Sequence, residues 1–214
     1  MILPVAMNLQ SQGSLEKFAF YIQTKDEHKH GDESTRPFPL REDKPYIWDV
    51  LDTFLIEKLI LIEKSRQLMI SWICCLYALW MAKYQKNRMI FIQSKKEESA
   101  ANLVFNTEAN VARISFMEAN LPKELQSKVT WSYGKAIFSE TGSVVWGIPE
   151  GADQIRSYVP SLLISDEAAF QPEFESAMNA ARPCIDGGGQ VICVSTAKNG
   201  SFMKKLIRCT GYAA

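Results

Sequence analysis

Three short clusters in this chain carry side chains suited to work on a charged substrate. The first is Glu63-Lys64-Ser65-Arg66-Gln67-Leu68-Met69-Ile70-Ser71, which follows the apolar run Leu59-Ile60-Leu61-Ile62 and precedes a second apolar run from Trp72 to Lys83. A strand, a tight loop and a helix N-terminus form an anion cradle, because free backbone N–H groups and the helix dipole face the same point. The second cluster is Asp166-Glu167, closing the apolar stretch 161–165, and the third is Ser195-Thr196, closing the apolar stretch 191–194. A cationic loop, a carboxylate pair and a hydroxyl pair, in this order at successive strand ends, occupy the three places where a parallel-sheet NTPase puts its chemistry.

The loop departs from the phosphate-binding pattern G-x-x-x-x-G-K-[ST]. Both glycines are absent, Ile70 stands where the lysine belongs, and only Ser71 keeps its place. The positive charge of a nucleotide site must then come from Lys64 and Arg66. A Lys-Ser-Arg stretch between a strand and a helix also reads as an ordinary polar turn, and the two downstream strand ends are what set it apart.

The elements needed to position these clusters follow from the apolar pattern. Residues 47–57 place Ile47, Val50, Leu51, Phe54 and Leu55 on one helical face. Strand, loop and helix follow over 59–84, and 89–93 form a short buried strand. A single long helix is expected over 96–118. Segments 129–131, 136–139 and 143–146 alternate as antiparallel strands, with Ser139-Glu140-Thr141-Gly142 as a hairpin turn. Strand 161–165, helix 172–182, strand 190–195 and helix 201–207 complete the series. Strands alternating with helices imply a mainly parallel sheet with ligands at the C-terminal strand ends. The fold class is therefore α/β: a P-loop NTPase-type, mainly parallel sheet flanked by helices on both faces, with a β-hairpin insertion before the acidic strand. Residues 1–45 read as an N-terminal helix and polar loop peripheral to the core, and 46–214 as the nucleotide-binding domain.

Composition sets bounds on function. The chain has 214 residues, 47% hydrophobic and 22% charged, as expected of a soluble globular protein with one ordinary core. Its 24 basic and 24 acidic residues cancel, so no global field announces nucleic acid, although a local basic patch is compatible with that balance. The five cysteines lack metal-ligand spacing and read as small buried hydrophobes in a reducing compartment. His28 and His30 form an H-x-H pair without further ligands and read as part of a solvated loop. No apolar run reaches membrane-spanning length, so no membrane is expected.

At these residues, over roughly 37–204, the chain resembles the ATPase domain of tailed-phage terminase large subunits, the motors that package viral DNA. Ser65-Arg66-Gln67-Leu68 followed by Ser71 is similar to that family's phosphate loop, which often reads S-R-Q-x-G-K-[ST] and tolerates a lysine displaced to the front, where Lys64 stands. The resemblance implies ATP and Mg²⁺ as ligands. Ser65, Arg66, Gln67, Leu68, Met69 and Ile70 would wrap the phosphates, with Lys64 on the β- and γ-phosphates. Because the transferred group spreads negative charge, positioned cations supply most of the catalysis. Ser71 and Asp166 would hold Mg²⁺, and Glu167 would polarise the attacking water. Read without these neighbours, Ser71 is a helix cap and Asp166-Glu167 an acidic capping turn.

Ser195 and Thr196 resemble the family's coupling motif; the alternative is a turn closing a strand. Arg156 is placed like the arginine that some terminases insert into a neighbouring subunit's site, and it also reads as a surface arginine. Trp48, or Tyr46, stands where the family reads adenine, while core packing of these aromatics is the competing expectation.

The implied function is an ATP-hydrolysing motor driving double-stranded DNA into a procapsid. Its expected partners are other copies of itself in a ring, the portal protein and the terminase small subunit, in the cytoplasm of an infected bacterial host. DNA contact would be to phosphates, with Lys198, Lys204 and Lys205 as candidates. The family's nuclease domain is not found in these residues, and the C-terminal end of the ATPase domain reads as incomplete. A helicase-like ATPase shares the fold, and a degenerate nucleotide-binding assembly module fits the altered loop.

Overall fold

Strand residues in this chain are apolar on both faces, and the two faces bury into different clusters. Ile90, Ile92, Leu162, Ile164, Ile192 and Val194 join one core, whereas the intervening Phe91, Leu163, Val191 and Cys193 join another. Period-two alternation with no polar face requires helices on both sides of the sheet. A computed structural model describes residues 11–26 and 34–209. The elements are α1 (Leu15–Ala19), β1 (Gln23–Lys25), β2 (Thr35–Pro37), α2 (Pro45–Ile56), β3 (Leu59–Lys64), α3 (Ile70–Tyr84), β4 (Met89–Ser94), α4 (Glu97–Val104) and α5 (Arg113–Ala119). They continue with β5 (Val129–Ser132), β6 (Lys135–Phe138), β7 (Ser143–Pro149), α6 (Asp153–Ser157), β8 (Leu162–Asp166), α7 (Phe174–Asp186), β9 (Gln190–Thr196) and α8 (Phe202–Cys209).

The main sheet has seven strands in the order β3-β9-β8-β4-β7-β6-β5. The pairs β3–β9, β9–β8, β8–β4 and β4–β7 are parallel, and β7–β6 and β6–β5 are antiparallel. The expected hairpin precedes the acidic strand and extends the sheet on its far side: β7 pairs with β6 on one edge and β4 on the other. Gly147 lets α4 lie flush on β7, since a Cβ there would sit 2.6 Å from the Ala100 carbonyl oxygen.

Helix α3 is buried almost all round, from Trp72 to Lys83, because it lies between the sheet and a layer made by α1, α2 and α5. Cys74 and Cys75 pack there, Cys184 and Cys193 are buried on the opposite face, and Cys209 is exposed. At the far end of α3, Lys83 Nζ donates to both Glu118 carboxylate oxygens at 2.9 Å, to the Leu125 carbonyl at 2.7 Å and to Ser127 Oγ at 2.8 Å. That buried ion pair is fully hydrogen-bonded, the condition under which such pairs are tolerated.

The structure corrects two expectations of organisation. The helix over 96–118 is two helices, α4 and α5. Phe105 turns extended at φ −155°, and Asn106 Oδ1 accepts from the Glu108 N–H while its amide donates to Asn102, a local turn that outcompetes the helix. The N-terminal segment is not peripheral, since Phe18, Ala19, Ile22 and Phe38 belong to the main core. His28 and His30 lie outside the described residues.

Candidate nucleotide-binding site

The loop between β3 and α3 enters the left-handed backbone region twice without a glycine. Strand β3 runs to Lys64, the chain turns through 65–69, and α3 starts at Ile70. Met69, in place of the second glycine, adopts φ 59°, ψ 9°, and Gln67 adopts φ 64°. Both occupy the left-handed region that glycine enters freely and side chains enter at a cost of about 1–2 kcal/mol. Tyr46 OH donates to the Leu68 carbonyl at 3.4 Å and Lys44 Nζ approaches Met69 Sδ at 3.7 Å, so α2 and its N-terminal flank brace the loop. No side chain caps the α3 N-terminus, which leaves the first-turn N–H groups facing the loop's concavity.

Three strand ends meet there. Ser71 Oγ donates to Asp166 Oδ1 at 3.1 Å. Lys64 Nζ donates to Glu167 Oε1 at 3.1 Å, with the lysine side chain only 9% exposed. Glu167 Oε2 accepts from the Thr196 N–H and hydroxyl, each at 3.2 Å, and from Ser195 Oγ at 3.4 Å. Ser195 Oγ in turn accepts from the Ala169 N–H. Two consecutive strand residues would point to opposite faces. Glu167 escapes that rule because it has left β8 with φ 50°, ψ 42°, which turns its carboxylate toward β9 while Asp166 faces α3. A left-handed glutamate costs free energy, and strain of this kind concentrates at functional sites.

The two carboxylates are pushed apart electrostatically. Burial raises the Asp166 pKa, the adjacent Glu167 charge adds to the rise, and Ser71, Arg113 and Lys64 only partly offset them. Burial acts on Glu167 in the same sense but is outweighed by the Thr196 N–H and the Lys64 ammonium, so its pKa is lowered. The neighbouring groups thus favour the charged form of Glu167 more than that of Asp166. Among the described residues no group of three or more His, Cys, Asp or Glu side chains could hold a metal ion. The hydroxyl and carboxylate oxygens of Ser71 and Asp166 suit a hard cation that takes its remaining ligands from phosphate and water.

Hollows flank the loop. One of about 360 Å³ is bounded by the loop, by Lys44, and by Thr24, Asp26 and Arg36 of the β1–β2 hairpin and its flank. The other, of about 520 Å³, holds Arg66, Asp166, Glu167 and Thr196. Arg113 lines both, and no motif marks it in the sequence, where it is a single arginine at the start of α5.

Two nominated residues stand elsewhere. Trp48 does not face the hollow. It is 2% exposed, donates its indole N–H to the Pro39 carbonyl and packs against Phe38, so it cannot stack on a base. Arg156 lies on α6, 62% exposed and paired loosely with Asp153 at 3.8 Å, and it lines neither hollow. Lys198 lies over the Phe170 ring, and Lys204 donates to Asn199.

The loop-bearing, hydroxyl-bearing and acidic strands converge at one end of a mainly parallel sheet flanked by helices, the end at which α/β folds bind ligands. The fold's particular form is that of phage large-terminase ATPase domains. The large terminase of bacteriophage HK97 superposes with TM-score 0.68 at 17% identity, over 94% of this chain and 41% of the terminase. The ATPase domain of a Thermus phage large terminase does so with TM-score 0.56 at 16% identity, over 71% of this chain and 64% of that one. A large terminase from a thermophilic bacteriophage, solved in complex with ADP, matches with TM-score 0.50 at 15% identity over 70% of this chain and 37% of its own. The chain therefore spans less than two thirds of the length of these terminases. No family model and no curated protein matches the sequence. No helix among the described residues is long and apolar enough to cross a membrane.

Proposed function

We propose that this chain is the ATP-hydrolysing motor domain of a viral terminase large subunit, packaging double-stranded DNA. The observation that carries the reading is the convergence of two hydrogen-bonded sets, Ser71–Asp166 and Lys64–Glu167–Thr196, at the C-terminal ends of β3, β9 and β8. The α3 N-terminus and the loop 65–70 receive the phosphates, with Arg66 contributing charge from the carboxylate side. The hairpin wall around Thr24 and Arg36 is the surface left for the nucleoside end now that Trp48 is buried. Ser71 and Asp166 would hold Mg²⁺, which when bound neutralises phosphate charge. Glu167, kept ionised, orients the attacking water, and Ser195 and Thr196 register the change in its partners on hydrolysis. Lys64, the salt-bridge partner of Glu167, is placed to shift to a phosphate when one arrives.

The exposed position of Arg156 supports a role in a neighbouring subunit's site, with ring assembly, portal protein, small subunit and host cytoplasm following from the terminase reading. One observation favours a second reading: Ile70, 3% exposed, contributes packing and no charge where a loop lysine is expected, as in an assembly module that binds without turnover. Mg²⁺-dependent ATP hydrolysis measured over a wide protein concentration range separates them. A motor shows activity that rises more steeply than concentration and is lost in Glu167→Ala and Lys64→Ala. Mixing Arg156→Ala with Glu167→Ala subunits restores some turnover if the arginine acts in trans. Binding without hydrolysis at every concentration selects the assembly module.

A further inference from the structure

The loop lacks its lysine, and Lys64, 3.1 Å from Glu167, supplies a single relocated cation. A triphosphate reaching this site brings several negative charges, so a further cation is needed at the terminal phosphate. Its location follows from the two hollows. The helix N-terminus opens on the loop side, and the water-orienting Glu167 lies on the other. The terminal phosphorus, which that water attacks, must lie at the boundary between them.

Arg113 is the residue that lines both hollows. It is the first residue of α5, and its guanidinium carbon sits 5.5 Å over the ring of Trp72, which directly follows Ser71. An arginine stacked on an indole is held by its face, whereas phosphate oxygens are bound by its rim, so the indole orients the group without competing for the ligand. Its charge also acts on the half-buried Asp166, which places it within electrostatic reach of that carboxylate. Turn formation at Asn106 is what delivers it, since an uninterrupted helix over 96–118 would carry position 113 elsewhere.

We infer that Arg113 is a phosphate-contacting residue of this site, acting in cis on the terminal phosphate across the boundary between loop and acidic strand. The inference rests on the nucleotide reading above. It is tested by titrating the chain, with Mg²⁺, with ADP and with the non-hydrolysable analogue AMP-PNP, in wild type, Arg113→Gln and Arg113→Lys. A charge-assisted hydrogen bond to the last phosphate predicts that Arg113→Gln weakens AMP-PNP by about tenfold to a hundredfold. ADP affinity should stay within about twofold, with Arg113→Lys intermediate for AMP-PNP because it keeps charge without the fork. Thermal melts run alongside. If Arg113→Gln does not fold, the Arg113→Lys comparison carries the test. Equal weakening of both nucleotides, or no change in either, overturns the inference. A wild-type chain that binds neither nucleotide overturns the nucleotide reading, and this inference with it.

Discussion

Thr196 gives both its backbone N–H and its hydroxyl to the same carboxylate oxygen of Glu167, each at 3.2 Å. The backbone bond is available to any residue but proline, so the hydroxyl is what side-chain chemistry adds. Thr196→Val is expected to slow ATP hydrolysis by about tenfold, the worth of one hydrogen bond to a charged group, with ATP binding held within about twofold. Thr196→Ser should retain the wild-type rate. Glu167→Gln removes the base itself and should cost about 10² to 10⁴-fold. Single-turnover assays on the three variants measure the ordering.

If Asp166 holds Mg²⁺ as proposed, its raised pKa makes metal binding depend on acidity. Its pKa is raised above the ordinary 3.8, so the folded protein holds this proton more tightly than the unfolded chain does. The ionised form is therefore disfavoured above the ordinary value, and a cation must displace the proton wherever it is still bound. Mg²⁺-nucleotide affinity should fall as pH drops through the raised value, starting above the usual aspartate range. Asp166→Asn should bind weakly and lose that pH dependence. Calorimetric titrations across the acid range check this, and an affinity with no such fall in wild type would rule Asp166 out as a ligand.

Met69 tests the loop geometry. Glycine at its φ of 59° is unstrained, whereas a β-branched side chain there is a severe outlier. Met69→Gly is expected to bind nucleotide at least as tightly as wild type, and Met69→Val to lose affinity. Equal affinities in the two variants would mean that the left-handed turn is not needed for phosphate contact.

The Lys83–Glu118 pair is a structural counterpart with no part in the site. Burial lowers the Lys83 pKa, against the opposing pull of Glu118. Lys83→Met strands a buried carboxylate and should cost about 3–5 kcal/mol in urea unfolding, whereas Lys83→Met combined with Glu118→Leu should recover most of it.

What was legible in the sequence follows from which forces are local. The strand–loop–helix over 59–84 could be read because its apolar runs are continuous and its polar loop is short. Asp166 and Glu167 stood out as carboxylates at a strand end, although only the left-handed turn at Glu167 explains how both reach the cleft. The break before Arg113 was hidden because Leu103, Val104, Val111, Ile114 and Met117 continue a plausible apolar series through it. Trp48 was misplaced because an aromatic near a ligand segment looks the same whether it faces the core or the cleft. The packing of Phe18 and Ile22 into the main core depends on contacts far away in the chain, with α3 and α2, that no local pattern encodes.

Strand order gives the site a mechanical character. The loop 65–69 hangs from β3, which among the described residues has β9 on one side and no main-sheet strand on the other, while the acidic pair lies at the end of β8, two positions in. A ligand gripping both loop and carboxylates thus straps an edge strand to an interior one across a third strand that it need not touch. Backbone amides of β3 should exchange with solvent fastest among the parallel strands in the empty protein, and slow markedly when nucleotide fastens them. Release of the ligand would then be felt first as fraying at that edge, which makes the sheet margin a reporter of the hydrolysis state.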